Sequence, residues 1–220
     1  MRQMQLSVFF VAASLSGLLA APELFADAYP EPAKFLGRSI RTTQLVNVDG
    51  KPFTLRPDSG KPIVLIPVFT SCPVTCPTIL KEFQVSWAEA LPSLATSGAQ
   101  VAVVSFDPAD TRAGFKKLVS RQKLPQDWIY AVAKPGKDFK EFEALLADLD
   151  FRYFKLKGQG GGYAHPAGAY IFDGGGKAGR FLAQAEFTKE DIVNAVKGSA
   201  VAGSAGGNTS RGPAKRLDNR

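Results

Sequence analysis

Two short apolar runs constrain the fold of this chain more than any other feature. Residues Pro62–Phe69 (PIVLIPVF) and Gln100–Phe106 (QVAVVSF) are almost continuously apolar and have the length of a β-strand. Such runs are typical of strands that are buried on both faces of a sheet. After the first run, apolar residues recur at helical spacing, which predicts a helix over residues 77–91. A buried strand followed by a helix is the unit of an α/β fold.

The remaining pattern completes a mixed sheet. Residues 44–55 predict two short strands around an Asp49-Gly50 turn, an N-terminal β-hairpin. A helix that carries Phe115 should begin at Asp110 or Thr111, either of which suits an N-cap. Further strands are predicted at residues 128–132, 151–156, 167–172 and 180–185, and further helices at 137–149 and 189–196. We therefore expect a central mixed β-sheet flanked by helices.

The two ends of the chain differ in composition from the part between them. Residues 1–28 contain the uncharged run Leu6–Ala21 and a small-x-small site at Ala26–Ala28, which together predict an export signal. The run is short for a membrane span, which usually needs about 20 residues, yet a retained N-terminal anchor stays an alternative. Residues 198–220 are rich in Gly, Ala, Ser and basic side chains and predict a disordered tail. Residues 29–197 then form one exported domain, expected in the periplasm.

The charge of the chain gives little support to nucleic-acid binding. The formal net charge is +7, but the predicted tail alone supplies four basic residues against one acid. The other basic residues look scattered among acids, without a basic stripe. In an exported protein, a basic face would meet an anionic membrane or an acidic partner protein.

Both cysteines of the chain lie in the stretch Phe69–Pro77 (FTSCPVTCP), with three residues between them. A disulfide between them would close a very small loop and stabilise the fold little. Pro77 suits the first position of a helix and disfavours helical geometry at Cys76, so we expect Cys72–Cys76 to form a loop before the helix. The N–H groups of a helix start lower cysteine pKa values, and thiolates are both redox nucleophiles and soft metal ligands.

The residues alone leave three functions open. Two thiolates can bind Cu(I), can exchange disulfides with a partner, or can form a merely structural disulfide in an interaction domain. A closed zinc site built from Cys72, Cys76 and His165, the single histidine of the chain, would lack one ligand. If the protein is an oxidoreductase, Pro166 becomes the important residue, as a cis-proline packed against the cysteines.

The cysteine stretch resembles the signature of the Sco/SenC family of thioredoxin-like copper proteins. Four other segments are similar to that family and occur in the same order: Asn47–Leu55, Gly60–Leu65, Val104–Thr111 and Gly162–Asp173. The resemblance spans about residues 35–196 and implies a thioredoxin-like fold.

The resemblance also implies a function. One copper ion, Cu(I) or Cu(II), would be bound by Cys72, Cys76 and His165 and delivered to the binuclear copper site of a respiratory cytochrome c oxidase. The partner would be a copper-accepting oxidase subunit or a protein with reducible cysteines, and the N-terminus would supply any membrane association. Some members of the family resemble thiol-disulfide oxidoreductases or redox sensors, so the resemblance leaves open whether the chain is an enzyme.

Two details of the predicted site need the structure. Family members often carry an acidic residue where this chain has Ala164, which leaves the copper affinity and the preferred oxidation state open. Asp107 is expected to contact a ligand residue without binding the metal itself. The alternative is that Asp107 and Asp110 only form a turn and a helix cap. We further expect the glycine-rich segment 158–162 to let His165 move towards the cysteines when metal binds.

Overall fold

The structure is a computed structural model and describes residues 29–55, 60–157 and 162–202. The predicted export segment, almost all of the predicted tail and residues 158–161 of the glycine-rich segment lie outside this part of the chain. The described α-helices are α1 (Pro32–Phe35), α2 (Thr75–Leu94), α3 (Arg112–Gln122), α4 (Lys137–Asp148) and α5 (Lys189–Ala202), and a 3-10 helix covers Gln184–Glu186. None of them has both the length and the apolar character that a membrane span requires.

The strands form one large sheet and one small one. They are β1 (Thr43–Asn47), β2 (Pro52–Leu55), β3 (Ile63–Val68), β4 (Gln100–Ser105), β5 (Ile129–Val132), β6 (Phe154–Lys155), β7 (Tyr163–Ala164), β8 (Gly168–Phe172) and β9 (Ala178–Ala183). Seven of them are ordered β2-β1-β5-β4-β3-β8-β9, and β6 pairs with β7 in a separate hairpin. Strands β3, β4 and β5 are parallel to one another, while the remaining pairs are antiparallel. The predicted mixed sheet with its N-terminal hairpin is confirmed.

The core of the domain lies on both faces of β3 and β4. Every residue of β3 is buried, as are all residues of β4 except its first. Helices α2 and α5 pack against each other, α3 packs on β5 and α4 packs on β1. Because β3 and β4 are parallel and central, their carboxyl ends open at the same edge of the sheet. The cysteine loop follows β3 at that edge.

Several predicted boundaries are wrong. Helix α2 begins at Thr75, so Cys76 is helical, and it continues through Pro92 to Leu94. Pro77 is tolerated because the first N–H groups of a helix have no partner within it. Helix α5 was expected to end at residue 196 but reaches Ala202, past the expected start of the tail.

Other elements are shorter than predicted or were missed. The strand predicted over residues 151–156 is reduced to β6, whose partner β7 has only two residues and was not predicted. The helix α1 was also missed. Of the two residues expected to cap α3, Asp110 and Thr111, the N-cap is Thr111. Its Oγ1 accepts a hydrogen bond from the Gly114 N–H at 3.1 Å.

Candidate metal centre

The two cysteines lie where β3 passes into α2. Cys72 follows the strand in a loop and Cys76 lies in the first turn of the helix, rather than in the loop as expected. Both side chains are buried and both thiols are free. The backbone N–H of Cys76 donates a hydrogen bond to Sγ of Cys72 at 3.2 Å. The start of the helix therefore directs a donor at the first cysteine.

The two thiols differ in protonation. The pKa of Cys72 is lowered to about 6, chiefly by the hydrogen bond from the Cys76 thiol, against the opposing effect of burial. The backbone N–H groups of Cys76, Val74 and Thr75 lower it further. The pKa of Cys76 is raised, first by the same hydrogen bond with Cys72 and then by burial. At neutral pH the pair therefore consists of a Cys72 thiolate that accepts from a Cys76 thiol, and the expected lowering applies to Cys72 alone.

His165 lies between β7 and β8 and faces the cysteines with one nitrogen. Its Nδ1 is 2.9 Å from the carbonyl oxygen of Pro166. A carbonyl oxygen only accepts, so Nδ1 carries the proton and Nε2 keeps its lone pair. Nε2 lies 3.8 Å from Sγ of Cys76. Burial lowers the pKa of His165, so the imidazole is neutral at neutral pH and Nε2 can act as a ligand.

Aromatic rings surround the imidazole. The ring centroids of Phe69, Phe106 and Phe151 lie 5.7, 5.0 and 6.0 Å from that of His165. Tyr163 packs against Phe69 and Phe106, with ring centroids 5.2 and 5.4 Å apart. Sequence reasoning assigned these residues to strands or the core. The one available signal was that Phe69 and Phe106 end two parallel strands at the same edge of the sheet.

Asp110 ties the cysteine loop to β4. Its carboxylate accepts hydrogen bonds from the Thr70 N–H at 2.7 Å, from the Thr70 hydroxyl at 2.5 Å and from the Ser105 hydroxyl at 2.5 Å. Its charge also raises the pKa of Cys76. Thr111 rather than Asp110 caps α3, so the assignment of Asp110 as a cap is wrong.

Asp107 supports the neighbouring turn and hairpin. It accepts from the Ala109 N–H at 2.9 Å and from the Tyr163 hydroxyl at 3.2 Å. Its connection to His165 therefore passes through the hairpin that carries Tyr163.

Of the three expected ligands, Cys76 lies in contact with the other two, Cys72 and His165, which form no hydrogen bond with each other in the part of the chain that the structure describes. Within the described residues, however, no three His, Cys, Asp or Glu side chains form a group that could hold a metal ion as they stand. Two sulfur donors and one imidazole nitrogen match the preferences of Cu(I). Binding would require Cys72 and His165 to close on one ion.

Two further expectations concern the segment around His165. Ala164 lies in β7 opposite Phe154 and brings no carboxylate to the histidine. The described residues contain no cis peptide bond, so the bond before Pro166 is trans and the cis-proline of the alternative hypothesis is not found.

Comparison with known proteins identifies what the chain is similar to. Residues 38–200 match the model of the SCO1/SenC family. The copper-bound ScoI of Bradyrhizobium japonicum is 21% identical, with a TM-score of 0.60 over 73% of this chain and 99% of that one. Copper-bound ScoI of Arabidopsis thaliana is 18% identical, with a TM-score of 0.60 over 73% and 99% of the two chains. Copper-bound yeast Sco1 is 22% identical, with a TM-score of 0.60 over 76% and 92%.

These identities are low, and the structural likeness establishes the shared fold. That fold is thioredoxin-like, as predicted from the sequence. No curated protein matches the chain.

Proposed function

The chain belongs to the SCO1/SenC family, and on this basis we propose that it binds one copper ion through Cys72, Cys76 and His165 and passes the ion to another protein. The observation that carries the proposal is the position of Cys76. Its backbone N–H contacts Sγ of Cys72 at 3.2 Å, and its own Sγ lies 3.8 Å from Nε2 of His165. The three donors therefore form one connected set at the sheet edge.

The chemistry of the donors suits Cu(I). Cys72 offers a thiolate at neutral pH, and His165 offers a neutral Nε2. Cys76 becomes the third donor when its thiol proton leaves for the solvent, so copper binding should release about one proton per ion. A soft ion with three protein ligands can then leave by exchange with the thiolates of an acceptor.

The proposed acceptor is the copper site of a respiratory oxidase, and the proposed compartment is the periplasm. Family membership supports the acceptor. The apolar run Leu6–Ala21 and the small-x-small site after it support export, with residues 1–28 as signal or anchor.

A thiol-disulfide oxidoreductase or redox sensor is the second candidate. The observation in its favour is the low pKa of Cys72, because a thiolate that forms at about pH 6 is a good nucleophile towards disulfides. Cys76, in hydrogen-bond contact with Cys72, would then be the resolving cysteine. This function needs both cysteines and has no direct need of His165.

A Cu(I) competition titration separates the candidates. The reduced chain would be titrated without oxygen against a chromogenic Cu(I) chelator, beside Cys72→Ser, Cys76→Ser and His165→Ala. Copper binding predicts one tight equivalent in the wild type and a loss of at least tenfold in affinity in each variant. Phe154→Ala, an exposed substitution opposite Ala164, serves as the control and should bind copper like the wild type.

The other outcomes reject the proposal. Tight binding that is indifferent to His165 would mean that the thiolates alone hold the ion, and would favour the oxidoreductase. The absence of a tight site in the wild type would remove copper from the function.

A further inference from the structure

The charged residues on the solvent face of helix α3 are all basic. The segment from Arg112 to the C-cap Lys123 contains five basic residues, all exposed, and no acidic residue. They are Arg112, Lys116, Lys117, Arg121 and Lys123. The expectation of scattered charge is wrong for this segment. Phe115, Leu118 and Val119 separate the basic residues in sequence but turn into the core, so folding gathers the charges on one side.

Most of this charge is not neutralised by the protein. Lys116 pairs with Asp49 at 3.1 Å, and both side chains are more than half exposed. Within the described residues, Lys117, Arg121 and Lys123 form no ion pair. Asp49 and Asp127 line a groove beside Lys116. Asp110, two residues before the helix, accepts hydrogen bonds from Thr70 and Ser105 instead of pairing with a basic residue of the face. At 100° per residue, Lys117 and Arg121 lie about 100° and 140° around the helix from Lys116, away from that groove.

The face carries no apolar anchor. Its other exposed members are Ala113 and Ser120. Protein interfaces are centred on buried aromatic and apolar side chains and are depleted in lysine. Adsorption to an anionic bilayer needs only basic side chains near the surface, each contributing about fivefold to partitioning. The composition of the face therefore favours a lipid surface over an acidic protein.

We propose that the solvent face of α3 adsorbs to an anionic lipid bilayer through its unpaired basic side chains. The helix starts beside the candidate metal centre, since a Cβ atom at Gly114 would lie 3.3 Å from Oγ1 of Thr70, two residues before Cys72. Adsorption through α3 would hold the cysteine loop close to the membrane surface. The proposal does not depend on copper binding.

The test is vesicle co-sedimentation of the full chain at low salt. Vesicles of phosphatidylcholine alone are compared with vesicles that contain about one-third phosphatidylglycerol. The measured quantity is the excess binding to the anionic vesicles, because the apolar run Leu6–Ala21 can bind both kinds. The variant Lys117→Gln/Arg121→Gln/Lys123→Gln removes three charges from the face and leaves the Lys116–Asp49 pair intact.

The matched control is Lys81→Gln/Lys134→Gln/Lys189→Gln, which removes the same charge from exposed positions on other elements. We expect the excess to fall at least tenfold in the α3 variant, by less than threefold in the control, and to vanish at 0.5 M salt in the wild type. Thermal unfolding of both variants checks that they are folded.

Equal losses in the two variants would assign the binding to net charge and overturn the proposal. So would an α3 variant that binds like the wild type. A wild type without any preference for anionic vesicles would also reject the lipid surface and leave the face to an acidic protein.

Discussion

The two halves of the candidate metal centre are held in different ways. The cysteine half belongs to the strand-to-helix junction and is fixed by polar contacts, among them the three hydrogen bonds that Asp110 accepts from Thr70 and Ser105. The histidine half lies on a separate two-stranded hairpin and the start of β8. There the imidazole has a hydrogen bond to the carbonyl oxygen of Pro166 and a 3.8 Å contact between Nε2 and Sγ of Cys76, and aromatic rings surround the rest of it.

This difference suggests a division of roles. Hydrogen bonds set the geometry and protonation of the thiols before any metal is present. Aromatic packing limits the access of water to His165, which is half-buried, but fixes the direction of its ring less strictly. We therefore expect the histidine half to make the adjustment that closes the site, and the two halves to respond differently to substitution.

The largest effect is expected from removing the main ring of the histidine half. Phe106 is fully buried between Phe69, Phe151 and His165. Phe106→Ala should lower the free energy of unfolding by about 3–5 kcal/mol, because it removes a large core side chain and leaves a cavity. The value is measured by urea denaturation at neutral pH.

Phe106→Leu is the companion variant, since it keeps most of the volume. It should cost less stability and should leave the pKa of Cys72 unchanged. A change in the thiolate titration of this variant would contradict the separation of the two halves.

A smaller loss of stability is expected in the cysteine half. Asp110→Ala leaves the Thr70 N–H and the Ser105 hydroxyl without their acceptor, so the free energy of unfolding should fall by about 1–3 kcal/mol. The freed loop should also change the titration of Cys72, because the lowered pKa of that thiol depends on hydrogen bonds from Cys76 and the loop backbone. Denaturation and the thiolate absorbance at about 240 nm report the two effects.

Asp107→Ala is the matched control in the same loop. It removes an acceptor of the Ala109 N–H and the Tyr163 hydroxyl and leaves the cysteine loop untouched. Its thiolate titration should match the wild type. If both variants shifted the titration equally, Asp110 would have no special link to the cysteines.

The smallest effect on stability, and the sharpest on chemistry, is expected from Cys76→Ala. The pKa of Cys72 is about 6 mainly because the Cys76 thiol donates to it, so removing that donor should raise the pKa towards its ordinary value of 9.0. On acidification, the Cys72 thiolate of the variant should therefore be protonated at a higher pH than that of the wild type. A titration followed at about 240 nm that stayed near pH 6 would assign the lowering to the backbone N–H groups instead.

Much of the fold followed from the sequence because its signals are local. The runs that became β3 and β4 are long and apolar, and the Asp49-Gly50 turn marks the β1–β2 hairpin. Elements of two residues, such as β6 and β7, have too few positions to show a period. Cys76 was misplaced because Pro77 was taken as the first helical residue, whereas the helix accepts it as the third.

The sequence proposes residues for the candidate site but not their arrangement. Cys72, Cys76 and His165 could be chosen from residue type and resemblance alone. The opposite pKa shifts of the two thiols depend chiefly on the hydrogen bond between them. The rings that pack on His165 are distant in sequence, and Phe69 lies 96 positions before the histidine. The basic face of α3 likewise appears only when the apolar residues between the charges turn inwards.

X-ray absorption at the copper edge tests the central claim most directly. The reduced chain would be loaded with one equivalent of Cu(I), beside His165→Ala. The account predicts two sulfur scatterers and one imidazole nitrogen in the wild type, with loss of the nitrogen in the variant. A wild-type spectrum with sulfur alone, or one identical to that of His165→Ala, would contradict a site built from both halves.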